Sequence, residues 1–253
     1  MSFFRSVDDV GFFRFDFDDP QEKHFESIRG LLLRGATVAA VGGDARAVEA
    51  LSDVVAKDAA SVGTVVEVAD NEVVCVTAIV NLQHYDPGQN LGVDAARKVL
   101  AASETPGLSL AARPKKKDAK SYALLVRGKM VNVPPRVAAA AYRCLQKDVA
   151  SLGFAGFVVV VKAAAADATP NKTKRPPKKR AATAAKLECD DFDDDCFAAR
   201  ATEVLPLGAT QRITKKNNDT TNGLLSSPPF AALYLSPADF AAAIDDISRL
   251  AEL

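Results

Sequence analysis

The sequence predicts a single α+β domain with a central mixed β-sheet flanked by helices. Three observations predict it. Segments with period-two alternation, or apolar on both faces, are interspersed irregularly with apolar stripes at helical spacing. Hairpin-like and crossover connections are both present, and there is no internal repeat. Hydrophobic residues make up 48% of the 253, so one domain can bury a sizeable core.

Phe13, Phe15 and Phe17 alternate with Arg14, Asp16 and Asp18, the pattern of a half-buried strand. Asp19-Pro20 reads as a helix cap and first-turn proline ahead of the stripe Phe25, Ile28, Leu31 and Leu32. Asp44 caps a second helix over Val48, Leu51 and Val55. Val62–Val68 and Val73–Leu82 flank Asp70-Asn71 as a hairpin, and VVCVTAIVNL is apolar enough for a central strand. A short helix over Val93, Ala96, Val99 and Leu100 precedes the basic loop RPKKKDAK and a strand at Tyr122–Val126. Pro134-Pro135 opens a helix with the stripe Ala138, Ala141, Tyr142, Leu145, Val149 and Leu152, and Phe157–Val161 is a second buried strand. Composition then shifts to alanine, proline, threonine and lysine, predicting a flexible basic loop over 163–186 within a domain that spans residues 1–253. An extended pattern resumes from Glu188 to Leu205. Ala231–Leu235 is the last strand, and Ser236-Pro237 starts a helix facing inward through Phe240, Ile244, Ile247 and Ala251.

Thirty-two basic and 32 acidic side chains balance to zero, which argues against a surface that tracks nucleic acid throughout. The charges are clustered, however. Lys172, Lys174, Arg175, Lys178, Lys179 and Arg180 give six basic residues in nine around two prolines, the extended peptide that an import receptor's groove takes. A second basic group, Arg113, Lys115, Lys116, Lys117 and Lys120, has no interleaved aromatics for base stacking. Glu188, Asp190, Asp191, Asp193, Asp194 and Asp195 put six carboxylates in eight residues. Read as a strand, they crowd together and are best relieved by a cationic partner, with a solvated, aggregation-proof sheet edge as the plain alternative.

Several chemistries have no residues to run on. There is no GxSxG, GxxxxGK[ST], HExxH or GxGxxG motif, and His24 and His84 lack partner spacing. Cys75, Cys144, Cys189 and Cys196 form no CxxC, and the acidic run lacks the central glycine of a calcium loop, so no metal site is expected. Cys75 and Cys144 sit in apolar surroundings typical of buried thiols. The N-terminus resembles neither a signal nor a transit peptide, and no run approaches the ~20 apolar residues of a membrane span, so a reducing compartment is expected.

Taken collinearly, FDFDDP at 15–20, IVNL at 79–82, LLVRGKMVNVPP at 124–135 running into YRCLQKDV, the lysine-rich loop before ECDDFDDDCF, and FAALYLSPADF resemble the BCCIP family. These are eukaryotic proteins named for binding a breast-cancer susceptibility protein and a cyclin-dependent-kinase inhibitor. The resemblance implies an acetyltransferase-like fold without acetyltransferase activity or cofactor. It also implies a nuclear or shuttling protein that escorts a basic protein of the large ribosomal subunit in ribosome biogenesis. Cell-cycle and genome-maintenance links carry over less directly, because animal members have a long acidic N-terminal extension. In acetyltransferases of that fold, backbone N–H groups in a glycine-rich turn opening a helix hold the cofactor pyrophosphate. Here Val133-Pro134-Pro135 removes two such donors. The expectation is a non-enzymatic adaptor or chaperone whose partner-binding residues are the six carboxylates. A divergent acyl-transferring enzyme is the alternative.

Overall fold

The computed structural model describes residues 7–10, 13–58, 60–68, 72–114, 120–165, 187–189, 191–207 and 230–253. In chain order the elements are β1 (Val7–Val10), β2 (Phe13–Asp18), α1 (Phe25–Arg34), α2 (Thr37–Ala40), α3 (Ala45–Lys57), β3 (Ser61–Val68), β4 (Glu72–Asn81), α4 (Leu91–Leu100), α5 (Pro106–Ala111), β5 (Tyr122–Lys129), α6 (Pro135–Val149), β6 (Gly156–Ala165), β7 (Leu187–Cys189), α7 (Phe192–Arg200), β8 (Glu203–Leu207), β9 (Phe230–Leu235) and α8 (Pro237–Leu250). The strands order as β1-β2-β3-β4-β5-β6-β9-β8, with β7 paired to β6. The α+β class with a mixed sheet therefore holds.

Strands β1 to β5 form an antiparallel meander. Strands β6, β9 and β8 form an antiparallel trio. The two halves meet at β5 and β6, the one parallel pair among the described residues, whose register runs only from Tyr122↔Gly156 to Leu125↔Val159. Beyond those four pairs the strands part.

Alternation along β4 divides the core. Val76, Ala78 and Val80 pack with α1, α3 and α4, whereas Ile79 joins Ala123 and Leu125 against α6, α7 and α8. Because helices cover both faces, β4 is buried from Val73 to Val80, which is why its sequence reads as continuously apolar. Helix starts follow their caps. The Asp44 carboxylate accepts the Arg46 N–H at 2.9 Å, Asn90 accepts Val93 N–H at 3.0 Å, and the Ser236 hydroxyl accepts Asp239 N–H at 3.2 Å. Two glycines admit the Tyr234 ring: a Cβ on Gly156 would lie 2.4 Å from it and one on Gly107 2.7 Å.

Four expectations need correction. Asp19-Pro20 does not cap α1; a short 3-10 turn, Glu22–His24, capped by Gln21 intervenes. Leu152 lies past the end of α6 and is exposed, the turn having left the buried stripe. Ala163–Ala165, the first residues of the expected loop, instead continue β6 by pairing with β7, and the rest of that expectation, residues 166–186, lies outside the described residues. Glu188–Leu205 is not one extended stretch, because α7 occupies its middle. The reason is electrostatic: Asp193, Asp194 and Asp195 fill the first turn of α7, where aligned peptide dipoles favour negative charge.

Candidate functional site

Where β5 and β6 separate, their facing edges need other partners. Arg127 stands at that point, on the α6-facing side of β5 with Ala123 and Leu125, and directly opposite Thr77 of β4. Its guanidinium donates to the Val160 carbonyl at 3.1 Å, the Tyr142 hydroxyl at 3.2 Å, an Asp193 oxygen at 2.8 Å and Asp194 Oδ1. Asp194 Oδ2 accepts the Lys162 backbone N–H at 2.9 Å, so a side chain from α7 completes the β6 edge. Lys129 reaches Asp193 at 2.9 Å and Asp191 at 3.5 Å, and Tyr142 donates to Asp193 at 3.0 Å. On the backbone of β5, the Thr37 hydroxyl of α2 donates to the Arg127 carbonyl at 3.2 Å and accepts its N–H at 3.4 Å. The split between the half-sheets is thus filled from both faces by the protein's own groups.

Asp193 and Asp194 are 1% and 2% exposed, and two cations, Arg127 and Lys129, balance them. Burial opposes ionisation of Asp193, but Arg127, Lys129 and the hydrogen bonds from Lys129 and Tyr142 outweigh it and hold its carboxyl below the usual range. Asp194 goes the other way: burial and the neighbouring Asp193 charge prevail over Arg127 and raise it. Burial also pushes the Tyr142 hydroxyl upward and the Cys75 thiol to about 12, so neither is an activated nucleophile.

The acidic run is therefore divided. Asp191 and Asp195 are exposed, whereas Asp193 and Asp194 point inward and are spent on Arg127 and Lys129. Glu188 lies in β7, and Asp190 is outside the described residues, as are Lys172, Lys174, Arg175, Lys178, Lys179 and Arg180. Sequence reasoning missed Arg127, Lys129 and Tyr142. The signal was available: LLVRGKM places a cation inside an apolar strand, and a buried cation demands an acidic partner elsewhere.

One further polar group, Asp18, His24 and Glu67, brings three potential ligand atoms within 4.8 Å of one another. It does not fit a metal. His24 Nδ1 accepts the Gln21 N–H at 3.0 Å, which leaves the proton of the neutral ring on Nε2, facing Glu67 at 3.0 Å. Burial, more than the opposing Glu67 charge, lowers the His24 pKa and favours that neutral ring.

Fold and site together define a mixed-sheet α+β protein whose central charge cluster ties two half-sheets to each other. The BCCIP family model matches residues 13–201, and the chain belongs to the BCCIP family. In fold it is similar to BCP1 from Saccharomyces cerevisiae, known from a crystal structure, with a TM-score of 0.59 and 14% identity over 97% of this chain and 91% of that one. No curated protein matches the chain.

Proposed function

We propose that this protein is a non-enzymatic adaptor or chaperone of the nucleus that escorts a basic protein of the large ribosomal subunit. Family membership fits a protein-binding role. The observation that carries the reading is the locked start of α7: Arg127 and Lys129 hold Asp193 and Asp194 inside, while Asp191, which Lys129 also reaches at 3.5 Å, and Asp195 stay exposed where a cationic partner can meet them. Prolines at 134 and 135 open α6 without the backbone donors that a cofactor pyrophosphate would need, which supports a role without acyl transfer. The acetyltransferase likeness of the fold rests on the family resemblance alone. Nuclear import through Lys172–Arg180, and cell-cycle or genome-maintenance partners, rest on sequence and family in the same way.

The test is the association rate of a basic large-subunit ribosomal protein with Asp191→Asn/Asp195→Asn. Exposed charges speed encounter more than they deepen affinity, so association should slow several-fold at low salt and depend less on ionic strength. Wild-type rates with the wild-type salt slope would put the docking surface elsewhere. For import, alanine at Lys178, Lys179 and Arg180 should move a fluorescent fusion to the cytoplasm; unchanged nuclear accumulation refutes that part.

A further inference from the structure

The turn between β2 and α1 hangs on one nitrogen of a buried ring. His24 is 2% exposed, and its Nδ1 accepts the Gln21 backbone N–H at 3.0 Å, closing the 3-10 turn Glu22–His24 ahead of α1. The ring's other nitrogen, Nε2, lies 3.0 Å from Glu67 Oε1, and neither atom has any other hydrogen-bond partner among the described residues. The charged groups around the ring come from β2, β3 and the turn itself. Asp18 ends β2, Glu67 belongs to β3 and is 7% exposed, and Lys23 precedes the histidine in the turn. Helix α3 also packs on the turn, where its Lys57 is engaged with Glu22 at 3.4 Å.

Only one protonation state of this ring fits the turn. The neutral ring carries its proton on Nε2, so Nδ1 has a lone pair to offer Gln21. A second proton can go only onto Nδ1, where it faces the Gln21 N–H, donor against donor, and that hydrogen bond must break. The imidazolium has other acceptors at hand, because Asp18 and Glu67 each bring a carboxylate oxygen within 4.8 Å of a ring nitrogen. Burial, the largest influence, and Lys23 oppose the charged ring, whereas Glu67 and Asp18 favour it. We propose that His24 is an acid-operated latch: neutral, it holds the Gln21 backbone and closes the entry to α1; protonated, it releases Gln21, turns to the carboxylates of Asp18 and Glu67, and opens that entry. Because Glu22 of the same turn holds Lys57, opening also loosens the tie between the turn and α3.

The experiment follows the full chain by NMR from about pH 8 to about pH 5, the range in which imidazoles titrate. It reads the His24 ring and the Gln21 amide together, with the exposed His84 as internal control. The Gln21 amide should lose its hydrogen-bonded shift and its protection from exchange at the midpoint of the His24 ring, and not at that of His84. His24→Asn sets an amide oxygen near the place of Nδ1 with no proton to take up, so its Gln21 amide should stay bonded over the whole range. Glu67→Gln removes a charge that favours the imidazolium and should lower the midpoint by about 1 pH unit. A Gln21 amide that stays unchanged while His24 titrates overturns the latch, and so does a ring that remains neutral until the whole chain unfolds. An acid transition at Gln21 that survives in His24→Asn overturns it as well, as does an unshifted midpoint in Glu67→Gln.

Discussion

Replacing Arg127 by methionine keeps most of the side-chain volume and removes the charge that holds Asp193 and Asp194. Both carboxylates are almost fully buried, and Lys129 alone would remain, touching Asp193 but not Asp194. Breaking a buried ion pair by deleting one partner costs about 3–5 kcal/mol, against a whole-domain stability of about 5–15 kcal/mol. The variant should therefore lose at least a fifth of its stability, read as a lower urea midpoint at unchanged slope near pH 7. The pH dependence gives a second readout. In the wild type, Asp193 has its folded pKa below the ordinary value, so its stabilisation is present above about pH 4 and is lost as pH falls through that lowered pKa. Without Arg127, burial prevails at both carboxyls and raises their folded pKa values, so the variant gains stability as pH falls toward about 4. The gap between the two proteins should narrow from pH 7 to pH 4. Adding Asp193→Asn and Asp194→Asn to the variant should recover most of the loss. A loss under about 1 kcal/mol at pH 7, or one equal at both pH values, would refute the claim that this cluster holds the half-sheets together.

Three further outcomes follow from the same physics. Gly156→Ala should cost about 1–3 kcal/mol by thermal unfolding, because its Cβ would lie 2.4 Å from the Tyr234 ring and the ring must shift, whereas alanine at Gly30, where nothing lies within 4 Å, should be tolerated. The His24 ring should titrate below about 6.5 by NMR, and since its folded pKa is lowered, its contribution is present above that value and lost as pH falls; titration at or above 6.5 contradicts the buried neutral ring. Cys75, buried with its thiol pKa near 12, should resist a thiol reagent at pH 8 in the native protein and react on unfolding.

Much of the fold was legible because burial writes itself as periodicity. The stripe of α8 and the doubly apolar β4 carried their structural role in the sequence, and Phe240, Ile244, Ile247 and Ala251 are all buried. The short helices α2 and α5 were not seen, since four and six residues are too few to set up a stripe. The acidic run was misread for a deeper reason. Alternation assigned its carboxylates to strand faces, but their conformation is set by a dipole at a helix start and by Arg127, which lies 66 residues from Asp193 in the chain. Charge patterns specify that partners must exist, and topology decides where they are.

The short parallel seam has a consequence for the order of assembly. Strands β1 to β5 join through antiparallel neighbours consecutive in the chain, so the N-terminal half can form its sheet as it leaves the ribosome. Its last strand, β5, then presents an uncovered edge with Leu125 on one side, and the Arg127 charge has no acid to meet. Both deficits end only when α6 and β6 have been made and α7 delivers Asp193 and Asp194. The interval between those events is when the nascent chain is most exposed to pairing with the wrong strand.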